Sequence, residues 1–215
     1  YPYRKRQRQV YAWSKQSLFE TLLIGLFLSG VSIWFFKPSL TLSYETSDPA
    51  RHFLWALDFA RTSVYRSGAM NFHLVNVGLI LKMIQSWVDP FNLYRVFILC
   101  DIVFFILNAL LFYQILLLLM EKRKSHWLAI IGTLFYACGY PLNSLIFGFG
   151  YFQTGLILIL TILLIYLQSG RSQIRVPIFT GMLFLLVLGL FNSYLLFVPV
   201  VIANIFIISI LSKRN

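Results

Sequence analysis

Long apolar runs bounded by short clusters of Lys and Arg constrain the fold of this chain more than any other feature. Residues 17–36, 92–120 and 151–168 contain few charged side chains, and each run is long enough to cross the roughly 30 Å hydrocarbon core of a bilayer as a helix. Charged residues make up 12% of the 215 residues, which is about half the share found in soluble domains. We therefore predict an all-α integral membrane protein.

The basic residues indicate how the chain is oriented in the membrane. A net charge of +11 would suggest nucleic acid as the partner of a soluble protein. Here most Lys and Arg residues lie in short clusters at the ends of apolar runs, the arrangement that anchors helices against anionic lipid. We therefore expect membrane lipids and no nucleic acid among the partners. We also expect a multi-pass protein of the plasma membrane with both termini in the cytoplasm.

The charge clusters also decide which runs cross the membrane. Residues 70–88 are apolar enough to cross, but a crossing there would place the basic cluster at residues 121–124 outside the cytoplasm. We expect this segment to be a membrane-surface helix. Residues 141–150, bounded by proline and glycine, are expected to form a turned or re-entrant outer loop.

The predicted layout has about six transmembrane helices in all. It consists of a cytoplasmic basic N-terminus at residues 1–16, a first transmembrane helix at 17–36, an extracytoplasmic loop with two interfacial helices at 37–91, and a five-helix transmembrane bundle at 92–215.

The most polar stretch after the first span is residues 45–66. Asp48 followed by Pro49 is a strong helix-start signal, because an Asp oxygen can accept the free amides of the first turn and proline fits the first helical position. Apolar residues then recur at helical spacing, which suits a helix lying in the membrane interface. Asp48 is therefore either a helix cap, or an acid that accepts a proton from a hydroxyl while Arg51 and His52 face a phosphate.

Other polar side chains are candidates for a cavity: Asp58 in the same polar helix, and Asp101 and Asn108 in the long apolar run. Asp101 and Asn108 lie seven residues apart and therefore share a helix face. An ionisable residue within a span usually faces the bundle interior or a wet cavity, so Asp101 is either functional or paired for structural reasons. The three histidines are too scattered along the chain to predict a metal site.

The segment SDPARHF at residues 47–53 looks like the acidic start of the first outer loop in the GT-C superfamily of membrane glycosyltransferases. The order of a first span, an outer loop with two surface helices, a long second span and shorter later spans also resembles that family. So does the segment GLFNSYLLFVP at residues 189–199, which looks like a span of bacterial cell-envelope members. The resemblance implies that a sugar moves from a polyprenyl-phosphate carrier to a hydroxyl-bearing acceptor at the extracytoplasmic face.

The resemblance also implies roles for individual residues. Asp48 would be the general base that deprotonates the acceptor hydroxyl as the lipid phosphate leaves, or a ligand of Mg²⁺ or Mn²⁺. Arg51, His52, Arg61 and Arg66 would bind the phosphate or the sugar. The chain has no adjacent D-x-D pair, so a base that works without a metal fits better than a metal site.

Two other functions remain open. The first is a flippase or transporter subunit for lipid-linked sugars, with Asp101, Asn108 and residues 141–150 along its pathway. The second is a non-catalytic membrane scaffold whose outer helices bind a partner. Family members usually have around a dozen spans or a soluble outer domain, so the six spans predicted here suggest a partial bundle from a chain truncated at its C-terminus.

Overall fold

The chain folds into a bundle of α-helices around one long central helix. The structure is a computed structural model that describes residues 15–42, 47–64, 72–120, 126–146 and 148–169, together with a few isolated positions between 182 and 202. Every secondary-structure element bounded in these ranges is an α-helix. In chain order they are α1 (Lys15–Phe35), α2 (Lys37–Leu40), α3 (Ser47–Thr62), α4 (Phe72–Ile84), α5 (Pro90–Met120), α6 (His126–Cys138), α7 (Tyr140–Ile146) and α8 (Gly150–Ser169).

Four stretches of the described chain are long and apolar enough to cross a membrane: Gln16–Phe35, Pro90–Met120, His126–Ile146 and Gly150–Leu167. They correspond to the first four predicted spans, which confirms an all-helical chain of membrane-protein type. The fifth and sixth predicted spans lie mostly outside the described residues. The count of six and the GT-C-like bundle therefore remain predictions.

Helix α5 is the centre of the bundle, with α1, α6 and α8 packed along it. Side-chain contacts fix the direction of α1 relative to α5. Tyr113, late in α5, contacts Glu20 near the start of α1, whereas Arg95, early in α5, donates to the Leu40 carbonyl beyond the end of α1 at 2.9 Å. The two helices are therefore antiparallel.

Helix α8 runs parallel to α5. Gly150, at the start of α8, lies against Asp101, and Gln153 bonds Asn108 further along α5. Helix α6 runs antiparallel to α5, since α6 begins beside Glu20 and later contacts Asn108. The four long helices thus alternate in direction, as successive membrane crossings require.

Helix α1 buries only a narrow stripe against the bundle. Large hydrophobic side chains cover its other faces, and many of them are at least half exposed. This is the pattern of a helix that faces lipid over most of its surface. The buried stripe, spaced three or four residues apart, consists of Ser17, Glu20, Ile24, Leu28 and Ser32.

Helices α3 and α4 pack side by side and run in the same direction. Near their middles, a Cβ on Gly78 would overlap α3 at the Ala56 carbonyl and the Phe59 ring, so only glycine lets the helices approach this closely. Near their ends, the Lys82 ammonium donates to the Ser63 hydroxyl at 2.6 Å.

Helix α4 lies antiparallel along the first third of α5. One end of α4 is joined to α5 through residues 85–89, and at its other end His73 reaches Asp101. Residues 90–101 of α5, about 16 Å of helix, therefore lie beside α4, and the rest lies beside α1, α6 and α8. Because α8 starts only at the level of Asp101, the first third of α5 extends past the start of that candidate span. Whether α3 and α4 lie in the membrane interface remains a prediction.

The helix interruption expected at residues 141–150 proves to be shorter than predicted. After Gly139 the chain is helical again as α7. Pro141 is accommodated because it is the second residue of that helix, where its missing amide has no helical partner. The turn lies instead between α7 and α8, where Gly148 has a φ of +80°, a conformation that glycine adopts without a Cβ penalty.

Candidate functional site

Three helix starts meet around the carboxylate of Asp101. His73 is the second residue of α4, and Gly150 is the first residue of α8. The start of α3 joins them through Pro49, which packs on Gly148. Helix N-termini carry partial positive charge, so this is a favourable place for a carboxylate that is only 6% exposed.

We define Asp101, His73 and Thr154 as the Asp101 cluster. His73 Nε2 lies 2.8 Å from Asp101 Oδ1, and His73 Nδ1 lies 2.8 Å from Thr154 Oγ1. All three side chains are buried, His73 at 1% and Thr154 at 5% exposure. A carboxylate only accepts hydrogen bonds, so Nε2 carries a proton and donates it, whereas Nδ1 can accept from the threonine hydroxyl or donate to it.

Two glycines allow this close assembly. A Cβ at Gly150 would overlap the Asp101 carboxylate, and a Cβ at Gly148 would overlap the Pro49 ring. Because neither glycine has a Cβ, α8 starts directly against Asp101 and the turn before it packs on the first turn of α3. The polar start of α3 is thereby held next to the Asp101 cluster.

His52 connects α3 to the same turn. Its Nδ1 lies 3.1 Å from the carbonyl oxygen of Gly148, which can only accept, so Nδ1 carries a proton and the neutral ring keeps its lone pair on Nε2. Burial lowers the pKa of His52 below its ordinary value of 6.5, against the opposing effects of the Gly148 carbonyl, Asp101 and Asp48. His52 is therefore neutral at neutral pH, and it offers a phosphate a hydrogen-bonding group rather than the positive charge that a protonated ring would supply.

Aromatic and charged groups surround His52. The Arg51 guanidinium lies 4.9 Å from the centroid of the Trp55 ring, and the Trp55 and His52 rings are 5.6 Å apart. Tyr151 of α8 meets the His52 ring edge-on at 5.5 Å. Asp48 lies one turn before His52 on the same side of α3. We define Asp48, Arg51, His52 and Trp55 as the α3 face.

Asp48 is exposed within the first turn of α3, since the helix begins at Ser47. The cap interpretation had placed Asp48 just before a helix that begins at Pro49, so the observed boundary lies two residues earlier. A carboxylate in the first turn still complements the helix dipole. Its exposure also makes Asp48 accessible to a binding partner.

The remaining predicted residues of α3 are further from Asp48. Arg61 is exposed in the last turn of the helix, about 20 Å along the axis from Asp48, so the fold does not bring these two together. Asp58 is half-buried on the same helix. Arg66 lies outside the described residues.

A second polar group lies deeper in the bundle, around Asn108, which is fully buried. Its Nδ2 donates to Gln153 Oε1 at 2.9 Å, and its Oδ1 accepts from the Tyr136 hydroxyl at 2.9 Å. Gln153 in turn donates to the Pro141 carbonyl at 2.6 Å. Asp101 and Asn108 thus lie on one buried face of α5, and each is paired with side chains of other helices.

The opposite end of the bundle has a third polar group, which we call the Glu20 cluster. Glu20 accepts hydrogen bonds from the Tyr113 hydroxyl, from His126 Nδ1 at 2.8 Å and from Gln16 Nε2 at 2.9 Å. These three donors explain how the Glu20 carboxylate can be only 8% exposed. The cluster ties α1 to both α5 and α6.

The residues described around Asp48 do not fit a Mg²⁺ or Mn²⁺ site. Nowhere in the described ranges do three or more His, Cys, Asp or Glu side chains form a group that could hold a metal ion. Asp48 shares its helix turn with Arg51, a cation, whereas hard divalent ions need several oxygen ligands.

Sequence reasoning did not identify His73, Thr154 or Gln153 as site residues. The signal that could have found them is that each is polar within an apolar helix, where such a side chain usually has a partner. Their partners Asp101 and Asn108 were recognised. Matching the two sets, however, requires the relative positions of α4, α5 and α8, which residue spacing within one helix does not provide.

No protein-family model, curated protein or solved structure matches this chain. The function of the α3 face and of the Asp101 cluster therefore has to be argued from their own chemistry.

Proposed function

We propose that this chain acts as a membrane glycosyltransferase, moving a sugar from a polyprenyl-phosphate carrier to a hydroxyl acceptor at the α3 face. One observation supports this most strongly. An exposed carboxylate, an exposed guanidinium and a neutral, half-buried imidazole lie within the first turns of one helix, at one end of an apolar bundle. A lipid carrier can lie along such a bundle while its sugar and a polar acceptor approach α3 from water.

The proposed chemistry is a single displacement. The acceptor hydroxyl gives its proton to the Asp48 carboxylate while its oxygen bonds to the anomeric carbon of the sugar. The bond between that carbon and the phosphate oxygen breaks, and its electron pair leaves with the phosphate. Arg51, three residues from Asp48, offsets the charge that develops on the leaving group. His52 Nε2 accepts a hydrogen bond from a sugar or acceptor hydroxyl, and no step requires a metal.

Either of two groups on the α3 face can take the proton. Asp48 is assigned as the base because the segment around it resembles the acidic loop start of the GT-C enzymes. His52 is the second candidate, because a neutral imidazole is well matched to proton transfer near neutral pH. If His52 were the base, transfer would fall as the pH drops through its lowered pKa.

A transfer assay on the purified full-length protein tests the proposal, using a polyprenyl-phosphate sugar donor. We expect Asp48→Asn to lower the rate by about 10²-fold or more, the usual contribution of a general base. Asp89→Asn is the matched control. Asp89 is an exposed acid whose Oδ1 accepts the amides of Phe91 and Asn92 at 3.0 and 3.1 Å, and asparagine caps a helix equally well. Equal rates in the two variants would rule out Asp48 as the base.

The polar pairs along α5 favour a second candidate function, a flippase or transporter for lipid-linked sugars. Asp101 and Asn108 lie about 10 Å apart along the helix axis, and each bonds side chains of other helices. Buried polar groups of this kind often line transport pathways. Lipid-linked sugar translocation that depends on Asp101 and is unaffected by Asp48→Asn would support this alternative over the transferase.

A further inference from the structure

We propose that the Asp101 cluster is a buried proton-binding site, in which His73 gains and releases a proton while keeping both of its hydrogen bonds. This inference concerns the contact of α4 with α5 and α8. It does not rest on the transferase proposal.

The hydrogen-bonding groups of the cluster fit two protonation states equally well. In the neutral state, His73 Nε2–H donates to Asp101 Oδ1, and Nδ1 accepts from the Thr154 hydroxyl. In the charged state, one proton from water is bound at Nδ1, which then donates to Thr154 Oγ1 after the hydroxyl hydrogen has rotated away. Both 2.8 Å contacts persist, because a hydroxyl can both donate and accept. No bond between heavy atoms is made or broken.

Because the Asp101 cluster is buried, its net charge affects how stable each protonation state is. With a neutral His73, the negative charge of the Asp101 carboxylate at 6% exposure is offset by a hydrogen bond and by helix N-termini, and no full positive charge is paired with it. Protonation of His73 turns the two side chains into a neutral pair, which a low-dielectric interior accommodates more readily. The carboxylate beside His73 is thus the charge partner of the imidazolium in the second state.

The surroundings of the pair set how readily the proton binds. The titratable groups that act electrostatically on it are His52 of α3 and Cys100 next to Asp101 on α5. The described part of α8 contributes no charged side chain, although its N-terminal end is a partial positive charge against Asp101. On α4, Lys82 lies at the far end, about 13 Å along the axis from His73.

Thr154 separates this proposal from a purely structural pairing of α4 with α5. The bond between His73 and Asp101 joins α4 to α5, and Thr154 of α8 takes no part in it. A hydroxyl at Nδ1, however, suits a histidine that binds and releases a proton. It can donate to Nδ1 when the ring is neutral and accept from Nδ1 when the ring is charged. His52 of the α3 face is half-buried and acts electrostatically on both members of the pair.

Because of the position of the site, proton binding changes the charge at a contact between three helices. The charge of the cluster changes where the first turns of α4 and α8 meet and where α3 packs against them. Any step that moves these three helix starts relative to one another would be coupled to the uptake or release of this proton.

Nitrogen NMR of the full chain in nanodiscs, with ¹⁵N-labelled histidine, tests the proposal. The chain has three histidines, and His52→Asn and His126→Gln assign the remaining signals to His73. We expect Nε2 of His73 to stay protonated from about pH 9 to pH 5 while Nδ1 passes from unprotonated to protonated within that range. An Nδ1 signal that stays constant over the whole range would overturn the proposal.

Two substitutions at Thr154 test the role of its hydroxyl. Thr154→Val keeps the shape of the side chain and removes the hydroxyl. We expect protonation of Nδ1 to move to lower pH, since a hydrogen bond to a charged group is worth more than one to a neutral group. Thr154→Ser keeps the hydroxyl and should behave like the parent. A valine variant that titrates like the parent would contradict the role of Thr154. Should the valine variant fail to fold, the parent titration of Nδ1 still decides whether His73 binds a proton.

Discussion

His52 shows how one backbone carbonyl can define the chemistry of a side chain. Gly148 fixes the proton on Nδ1, and burial lowers the pKa of the ring. Above about pH 6.5 the ring is neutral in both the folded and the unfolded chain, so its contribution to stability is constant. Below that pH the unfolded chain takes up the proton first, so stability falls until the pH reaches the lowered pKa of the folded protein.

We therefore expect the Tm of the protein in detergent to decrease as the pH is lowered from about 7 to 5. In His52→Asn, which keeps a donor near Gly148, part of this decrease should be absent. Differential scanning fluorimetry over a pH series measures it. If the variant and the parent lose stability equally over this range, another group is responsible for the decrease.

Gly150 is the residue whose substitution most directly probes the Asp101 cluster. An added Cβ would overlap the Asp101 carboxylate, so we expect Gly150→Ala to lower the free energy of unfolding by about 1–3 kcal/mol. Gly30→Ala in α1 is the matched control, because no atom lies within 4 Å of its Cβ position and alanine is the better helix former. Equal unfolding midpoints for the two variants would mean that α8 does not start against Asp101.

The sequence indicated some of these residues and not their partners. The seven-residue spacing of Asp101 and Asn108 placed both on one face of α5, and both are buried. Their partners could not be found in the same way. His73 and Thr154 lie 81 residues apart in the chain, and only the packing of α4 and α8 on α5 brings them together.

Among the four candidate spans in the described residues, α1 buries the smallest share of its side chains, since most of its large hydrophobic residues face outward. The Glu20 cluster compensates for this at one end of the bundle. We expect Glu20→Ala to remove the hydrogen bonds that Glu20 accepts from Tyr113 and His126, and to cost about 1–3 kcal/mol. Leu23→Ala, on an outward face of α1, is the control and should be nearly neutral in a bilayer.

Thermal unfolding in nanodiscs measures this effect, and crosslinking between α1 and α5 reports whether α1 detaches. A Glu20→Ala variant as stable as Leu23→Ala would show that the polar cluster does not hold α1 to the bundle.

The sequence predicted which segments are helical, and it predicted the ends of the helices less well. The polar start of α3 and the separate, short α4 follow from apolar spacing and from the charges around them. The loop expected at residues 141–150 is largely helical instead, because Pro141 falls in the first turn of α7, where proline costs no hydrogen bond. Sequence alone does not say on which side of Pro141 a new helix begins.

On the scale of the whole molecule, alternating helix directions place α2, α3 and α4 at one end of the bundle and the Glu20 cluster at the other. The positive-inside tendency predicts that the α3 end is extracytoplasmic. The packing of four apolar helices is consistent with either orientation, so the side of the membrane has to be measured.

Cysteine labelling in intact cells can assign the two sides. In a background with Cys100→Ala and Cys138→Ala, we expect Trp87→Cys, which lies 83% exposed between α4 and α5, to react with a membrane-impermeant maleimide. Trp127→Cys, 63% exposed at the start of α6, should react only after permeabilisation. The reverse labelling pattern would place the α3 face in the cytoplasm and exclude the proposed extracytoplasmic reaction.

The central claim is that the carboxylate of Asp48 performs chemistry at the α3 face. The most direct measurement is the rate of sugar transfer from a polyprenyl-phosphate donor by Asp48→Asn and Asp89→Asn, each compared with the parent at equal folded concentration. The account predicts near-complete loss in the first variant and parental activity in the second. Parental activity in Asp48→Asn, or no transfer by the parent with any lipid-phosphate sugar, would contradict it.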